Sequence, residues 1–156
     1  MTYVEGRVIS ETVDRAAIRD LVDSWAHCAD RRLPRRQAEL FTTDGVVLVY
    51  AGDPASNEPV QRLQGHDELA EAFTVLNNYD VTSHVNAQST VTLAGDRATG
   101  ESYCIAHHLW VENGQRMLLT ISIRYLDRFV RGVDGWRFAE RRLVMDWTDK
   151  RPSQPA

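Results

Sequence analysis

The sequence predicts an α+β domain in which helices come first and a long antiparallel meander follows. Apolar residues recur at helical spacing up to Asp30 and again after His66. Beyond Tyr79 the period drops to two, the signature of strands with one buried face. The segments between these alternating runs, "AGD", "ENGQ" and "GVDG", carry turn chemistry. Helices segregated from an antiparallel sheet define the class, and a strongly bent sheet folding over them would enclose a pocket.

The first helix is expected over residues 11–30. Val13, Ala17, Ile18, Leu21, Val22, Trp25, Cys28 and Ala29 fall on its apolar positions, and Thr12 is placed to cap it. "LPRRQAELF" reads as a short second helix with Pro34 in its first turn. "GVVLVYAG" is a β-branched strand bounded by glycines, and "GDPASNEPVQRLQG" a turn-rich loop with a short strand. In "HDELAEAFTVLNN", Leu69, Ala72, Phe73 and Leu76 share one face of a third helix. Four strands follow, at about 82–94, 97–111, 116–131 and 136–147. The expected organisation is one domain over 1–147 and a flexible polar tail over 148–156.

The totals exclude several functions. With 156 residues, 43% hydrophobic and 26% charged, the chain is globular and long enough for a real core. No apolar run approaches the roughly 20 residues of a membrane span, no signal peptide is visible, and a cytoplasmic, reduced chain is expected. Cys28 and Cys104 have no metal-type spacing and read as small core residues. A net charge of −4 argues against nucleic acid as the partner. Lys150, in the polar tail, is the single lysine, which excludes Schiff-base catalysis and a P-loop lysine. No GxSxG elbow and no Gly-rich strand-to-helix loop is present.

Polar residues inside strands are the informative ones. His84, Asn86 and Gln88 share a face by the period of two, whereas the adjacent His107 and His108 point to opposite faces. At most one of that pair joins His84. Asp30, His84 and His108 would supply two imidazoles and a carboxylate, but no HxH, HxxxH or CxxC spacing supports a metal, and none is expected. Acid–base work by His and Asp, helped by Tyr hydroxyls, remains. A carboxylate bonded to one imidazole nitrogen fixes the tautomer and leaves the other nitrogen to take a proton. In "WAHCADRR" the acid sits at the negative end of the helix dipole. On an ideal wheel it lies off the apolar face, so it reaches a pocket only if the helix stops there. Trp25 reads first as core, a role compatible with its also forming an aromatic pocket wall. Trp136 and Phe138 read as core or dimer residues, and Arg124 as the partner of an acid at a subunit interface.

The strings "AIRDLVDSWAHCADRR…ELFTTDGVV", "SHVNAQSTV…ATGESYCIAHHLW" and "ISIRYLDRFVRGVDGWRFAERRLVMDW" together resemble the SnoaL-like branch of the nuclear transport factor 2-like superfamily. The resemblance spans about Ser10 to Trp147. It implies a cone-shaped barrel, a curved antiparallel sheet around N-terminal helices with one deep apolar pocket, and dimerisation through the outer sheet face. The pocket looks most like that of scytalone dehydratase and the bile-acid dehydratases. On that pattern Asp30 matches the aspartate ending the first helix and His84 the sheet histidine it pairs with. His108 matches a second pocket histidine, Tyr50 a tyrosine that holds water or a substrate carbonyl, and Tyr125 a polar pocket position. Two tyrosines of those enzymes are replaced here, by Trp25 and by Ala29.

The expected function is therefore a cofactor-independent lyase or isomerase, dehydratase-like, acting on an apolar, cyclic, carbonyl-containing small molecule. His84 would be the base and then the acid, and Asp30 would orient it. Tyr50, His108, Tyr125 and Trp25 would bind substrate. A polyketide-type cyclase on the same dyad, and a non-catalytic ligand-binding or assembly module of the same fold, are the alternatives.

Overall fold

The computed structural model describes residues 3–154. Along the chain lie α1 (Tyr3–Asp30), α2 (Pro34–Ala38), β1 (Phe41–Ala51), β2 (Gln61–Gln64), α3 (His66–Phe73), a 3-10 turn (Thr74–Asn78), β3 (Val81–Ala94), β4 (Arg97–Glu112), β5 (Gln115–Gly132) and β6 (Gly135–Pro152). The strands form one curved sheet in the order β2-β1-β6-β5-β4-β3. β3 to β6 make the expected antiparallel meander, while β1 joins β6 in parallel. The sheet does not close into the barrel the resemblance implied: β2 and β3 stand at its two ends.

Alternation decides which side chains face the helices. On β5, Ile121, Ile123, Tyr125, Asp127 and Phe129 are all buried. On β4 the inward set includes Ser102, Cys104, Ala106 and His108. α1 packs on this face through Ile18, Leu21, Val22 and Trp25. Val13 and Ala17, also expected on that stripe, are exposed. Those earlier turns are held by polar contacts instead: Asp14 accepts hydrogen bonds from Arg131 (2.7 Å) and from the Trp136 indole (2.9 Å). Thr12 does not cap α1, which begins earlier; its hydroxyl donates to the Val8 carbonyl one turn back. Trp25 is the hub of the core, meeting Phe73, Phe41 and Phe138 edge-on at 4.9, 5.7 and 6.3 Å. Trp136 and Phe138 are both core residues.

β-bulges reset the phase of the strands. In β3 the register slips between Asn86 and Ser89, so Gln88 leaves the face it was expected to share with His84 and becomes exposed. In β6 an extra residue opposite the Arg128/Phe129 step shifts the inward set from Trp136 and Phe138 to Arg141. Arg141 is fully buried and donates to both carboxylate oxygens of Asp127, its cross-strand neighbour, at 2.8 and 2.7 Å. Its guanidinium lies 4.0 Å from the Tyr125 ring centre, 4.2 Å from Phe138 and 4.7 Å from Trp25.

The last strand is longer than the sequence predicts: β6 runs past residue 147 to Pro152, paired with Met117, and Lys150 reaches Glu112 at 3.1 Å. Arg124 pairs with Asp146 of the neighbouring strand, through bonds of 2.8 Å from Nε and from Nη2. Side chains of α1 also meet the backbone of β3: Arg15 donates to the Val91 carbonyl at 2.5 Å and Arg19 to that of Ala87 at 3.0 Å.

Candidate active site

The geometry begins with how α1 ends. The Leu33 amide donates to the Cys28 carbonyl (2.9 Å) and the Arg32 amide to the Ala29 carbonyl (3.2 Å), with Arg32 in the left-handed region at φ 56°. That pair of bonds is a Schellman motif, which halts a helix and sends the chain away from its axis. Asp30 thus falls in the last turn, beside β3.

Its carboxylate is fully engaged there. Oδ1 lies 2.7 Å from His84 Nδ1 and accepts the Thr82 hydroxyl at 2.9 Å, while Oδ2 accepts the His84 backbone N–H at 2.9 Å. Thr82 and His84 stand on the inner face of β3 because they are two residues apart. Burial alone raises the Asp30 pKa, but hydrogen bonds from the His84 ring, the His84 amide and Thr82, with the His84 charge, outweigh it and hold the pKa below the usual carboxylate value. With Nδ1 directed at a carboxylate, the proton of neutral His84 resides there and Nε2 carries the free lone pair. The His84 side chain is 7% exposed and that of Asp30 27% exposed. His84 lines the cavity; Asp30 grips it from behind.

The cavity has a volume of about 200 Å³ and lies between α1, the sheet and the α3 segment. Its walls are mainly apolar, with Trp25, Val47, Leu63, Phe73 and Ile121 among them. Gln37, Gln61, His84, His108 and Tyr125 supply the polar groups, and no Lys, Arg, Asp or Glu lines it. The ring of His108 is centred 5.5 Å from that of His84 and 4.4 Å from that of Tyr79. Neither ring nitrogen of His108 has a hydrogen-bond partner in the protein. Burial, then the nearby His84 and Arg32 charges, lower its pKa to about 4. His107 faces the other side of the sheet, as adjacency requires.

Five of the six expected site residues therefore converge: Asp30, His84, His108, Tyr125 and Trp25. Tyr125 lines the cavity with its ring backed by Arg141, and burial pushes its phenol well above the ordinary value. Tyr50 does not join them. Val47 and Val49 face the cavity, so Tyr50 takes the opposite face, buried beside its partner Val144. Among the described residues no three His, Cys, Asp or Glu side chains are grouped to hold a metal ion. Of the three groups the sequence offered, Asp30 is bonded to His84 and to Thr82, and His108 is bonded to neither.

Sequence reasoning overlooked Thr82, Arg32 and the Asp127–Arg141 pair. Thr82 shares the period that exposed His84, and Asp127 is in phase with Tyr125 and Phe129, so both carried a readable signal. Arg141 carried none, because the bulge before it sets its side.

The family description "SnoaL-like domain" matches residues 10–142 of the chain. The chain belongs to the SnoaL-like domain family. Among relatives of this SnoaL-like protein are uncharacterized proteins of Mycobacterium tuberculosis and Mycobacterium bovis, each 26% identical over 85% of this chain and 86% of theirs. Among solved structures, a scytalone dehydratase-like protein from Novosphingobium aromaticivorans superposes with a TM-score of 0.78 at 21% identity, covering 96% of this chain and 95% of that one. A type 2 hexachlorocyclohexane dehydrochlorinase gives 0.76 at 19% identity, covering 95% and 94%. A hexachlorocyclohexane dehydrochlorinase from Novosphingobium barchaimii gives 0.74 at 19%, covering 93% of each chain. At such identities these likenesses show the shared SnoaL-like fold. No helix among the described residues is long and apolar enough to cross a membrane.

Proposed function

We propose that this SnoaL-like protein is a cofactor-independent lyase, dehydratase-like, that eliminates water from an apolar, cyclic, carbonyl-containing small molecule. The observation that carries the reading is the 2.7 Å contact between Asp30 and His84 at the wall of an apolar cavity. Asp30 holds the ring so that Nε2 takes the proton α to the substrate carbonyl. As the carbon–carbon double bond forms, the β-hydroxyl leaves with that proton returned from the imidazolium, and water is released. Asp30 stabilises the imidazolium between the two steps. His108, neutral and unpartnered, is the group best placed to hold a substrate oxygen, since Trp25 and Ala29 stand where related enzymes carry tyrosines. Fold similarity to a dehydratase-like protein and to dehydrochlorinases, both eliminations by name, is consistent with lyase chemistry.

The size of the cavity bears on the substrate. A dry engineered cavity of about 150 Å³ takes up benzene, so about 200 Å³ suits one substituted ring. The test is a panel of monocyclic β-hydroxy ketones, followed by absorbance of the conjugated product and by mass loss of one water. His84→Ala and Asp30→Asn should each abolish the signal. Ring closure without loss of water would assign a cyclase instead, and binding without turnover a ligand-binding module.

For the assembly, we propose a homodimer in which a second copy covers the outer sheet face. Val81, Val85, Val111 and Trp147 all project from that face, and Trp147 is 53% exposed. Light scattering should give twice the chain mass, and Trp147→Glu should shift the protein toward monomer.

A further inference from the structure

Among the described residues only Arg32 and Asn113 are non-glycine residues with positive φ. Asn113 sits in the Asn-Gly turn between β4 and β5, where that conformation is expected. Arg32 occupies the helix-ending position that glycine usually takes, at a backbone cost of about 1 kcal/mol. Its side chain accounts for its presence there. Nη1 donates to the Ala29 carbonyl (3.0 Å) and to Thr82 Oγ1 (2.7 Å), and Nη2 donates to the Tyr79 carbonyl (3.2 Å).

Donor logic gives these contacts a direction. A guanidinium only donates, so Thr82 Oγ1 is the acceptor in its bond with Arg32. A hydroxyl has one proton, and that proton is then left for Asp30 Oδ1 at 2.9 Å. Arg32 does not touch the Asp30 carboxylate, yet it fixes which way the Thr82 hydroxyl points at it. The same guanidinium ties down the carbonyl of Tyr79, whose ring packs on His108. The supports of both cavity imidazoles converge on one side chain.

We infer that Arg32 is a positioning residue for the cavity histidines, keying the Thr82 hydroxyl onto Asp30 and anchoring Tyr79 behind His108. The inference rests on the acid–base reading of the Asp30–His84 pair and adds the group that sets its geometry. Arg32→Gly separates positioning from mere capping, because glycine suits the left-handed position and preserves the Schellman motif. Thr82→Val removes the hydroxyl while leaving Arg32 in place, and Thr82→Ser restores it.

The readout is the His84 Nδ1–H proton in 15N-histidine-labelled protein, with melting temperature measured alongside. In the parent protein this proton should give a low-field resonance in slow exchange. In Arg32→Gly and in Thr82→Val it should exchange about tenfold faster or more, the change that follows from losing one hydrogen bond to a charged group. Thr82→Ser should stay near the parent, and Arg32→Gly should melt close to the parent temperature. Slow exchange retained in Arg32→Gly would overturn the inference and leave Arg32 a helix cap. Absence of the resonance in the parent would instead overturn the dyad itself. If Arg32→Gly fails to fold, Arg32→Lys is read in its place. It keeps the charge but lacks the planar fork that reaches Thr82 and the Tyr79 carbonyl together, so fast exchange is expected and slow exchange would overturn the inference.

Discussion

His84 and His108 face each other across neighbouring strands with ring centres 5.5 Å apart, yet only His84 has a hydrogen-bond partner in the protein. One imidazole is oriented by a carboxylate, and the other lines the same cavity with neither of its buried nitrogens bonded. Two chemically identical side chains are thereby given different work, because a carboxylate stabilises an imidazolium and an apolar wall opposes one.

The bare histidine makes stability depend on pH in a definite direction. The His108 pKa is about 4 in the folded protein against about 6.5 in an unfolded chain. Above pH 6.5 both states are neutral and nothing is lost. As pH falls from 6.5 toward 4, the unfolded chain takes up a proton that the folded one refuses, so stability declines by up to about 3 kcal/mol. Urea denaturation between pH 8 and pH 4.5 should show this loss, and His108→Phe should remove most of it.

Disabling the oriented histidine should be a matter of rate. His84→Ala and Asp30→Asn should each lower turnover by about 10²–10⁴-fold, the usual worth of general acid–base catalysis. The asparagine should leave substrate affinity nearly unchanged, since Asp30 does not line the cavity. Steady-state kinetics on the active ketone would separate kcat from KM, and a KM effect alone would contradict the assigned roles.

Tyr50 supplies the contrasting case. It lies on the far face of β1 from the cavity, so Tyr50→Phe should leave turnover essentially unchanged. A large loss of activity would show that the cavity wall is not where the structure puts it.

The buried Asp127–Arg141 pair should be revealed by breaking it unevenly. Asp127→Ala leaves a guanidinium without its anion in the core and should cost about 3–5 kcal/mol in chemical denaturation. Replacing both partners with apolar residues of similar volume should cost far less, because no charge is then stranded. If the double variant were as unstable as the single, the pair would be worth more than its desolvation cost.

The fold was legible because its signals are local and periodic. Alternation put His107 and His108 on opposite faces of β4, and the family resemblance chose His108 and Tyr125 as the ones that face the pocket. Asp30 was half legible: its residue type and position suggested chemistry, but an ideal wheel turned it away, and the left-handed Arg32 that halts the helix has no glycine to announce it. The bulges in β3 and β6 were not legible, because an extra residue in one strand is defined only by its partner. That is why Gln88 was misplaced and Arg141 overlooked. The end of β6 was missed for a similar reason. "DKRPSQPA" is polar enough for a tail, but β5 extends far enough to pair with it up to Pro152.

The contacts that join α1 to β3 have a consequence beyond the cavity. β3 ends the sheet, and a terminal strand offers its free backbone groups as a template for pairing with another chain. Here three groups of β3 are occupied from α1: Asp30 takes the His84 amide, Arg19 the Ala87 carbonyl and Arg15 the Val91 carbonyl. The carboxylate proposed to tune a catalytic base thus also helps keep the chain from adding strands to itself. Asp30→Asn preparations are accordingly the ones in which self-association should be watched most closely.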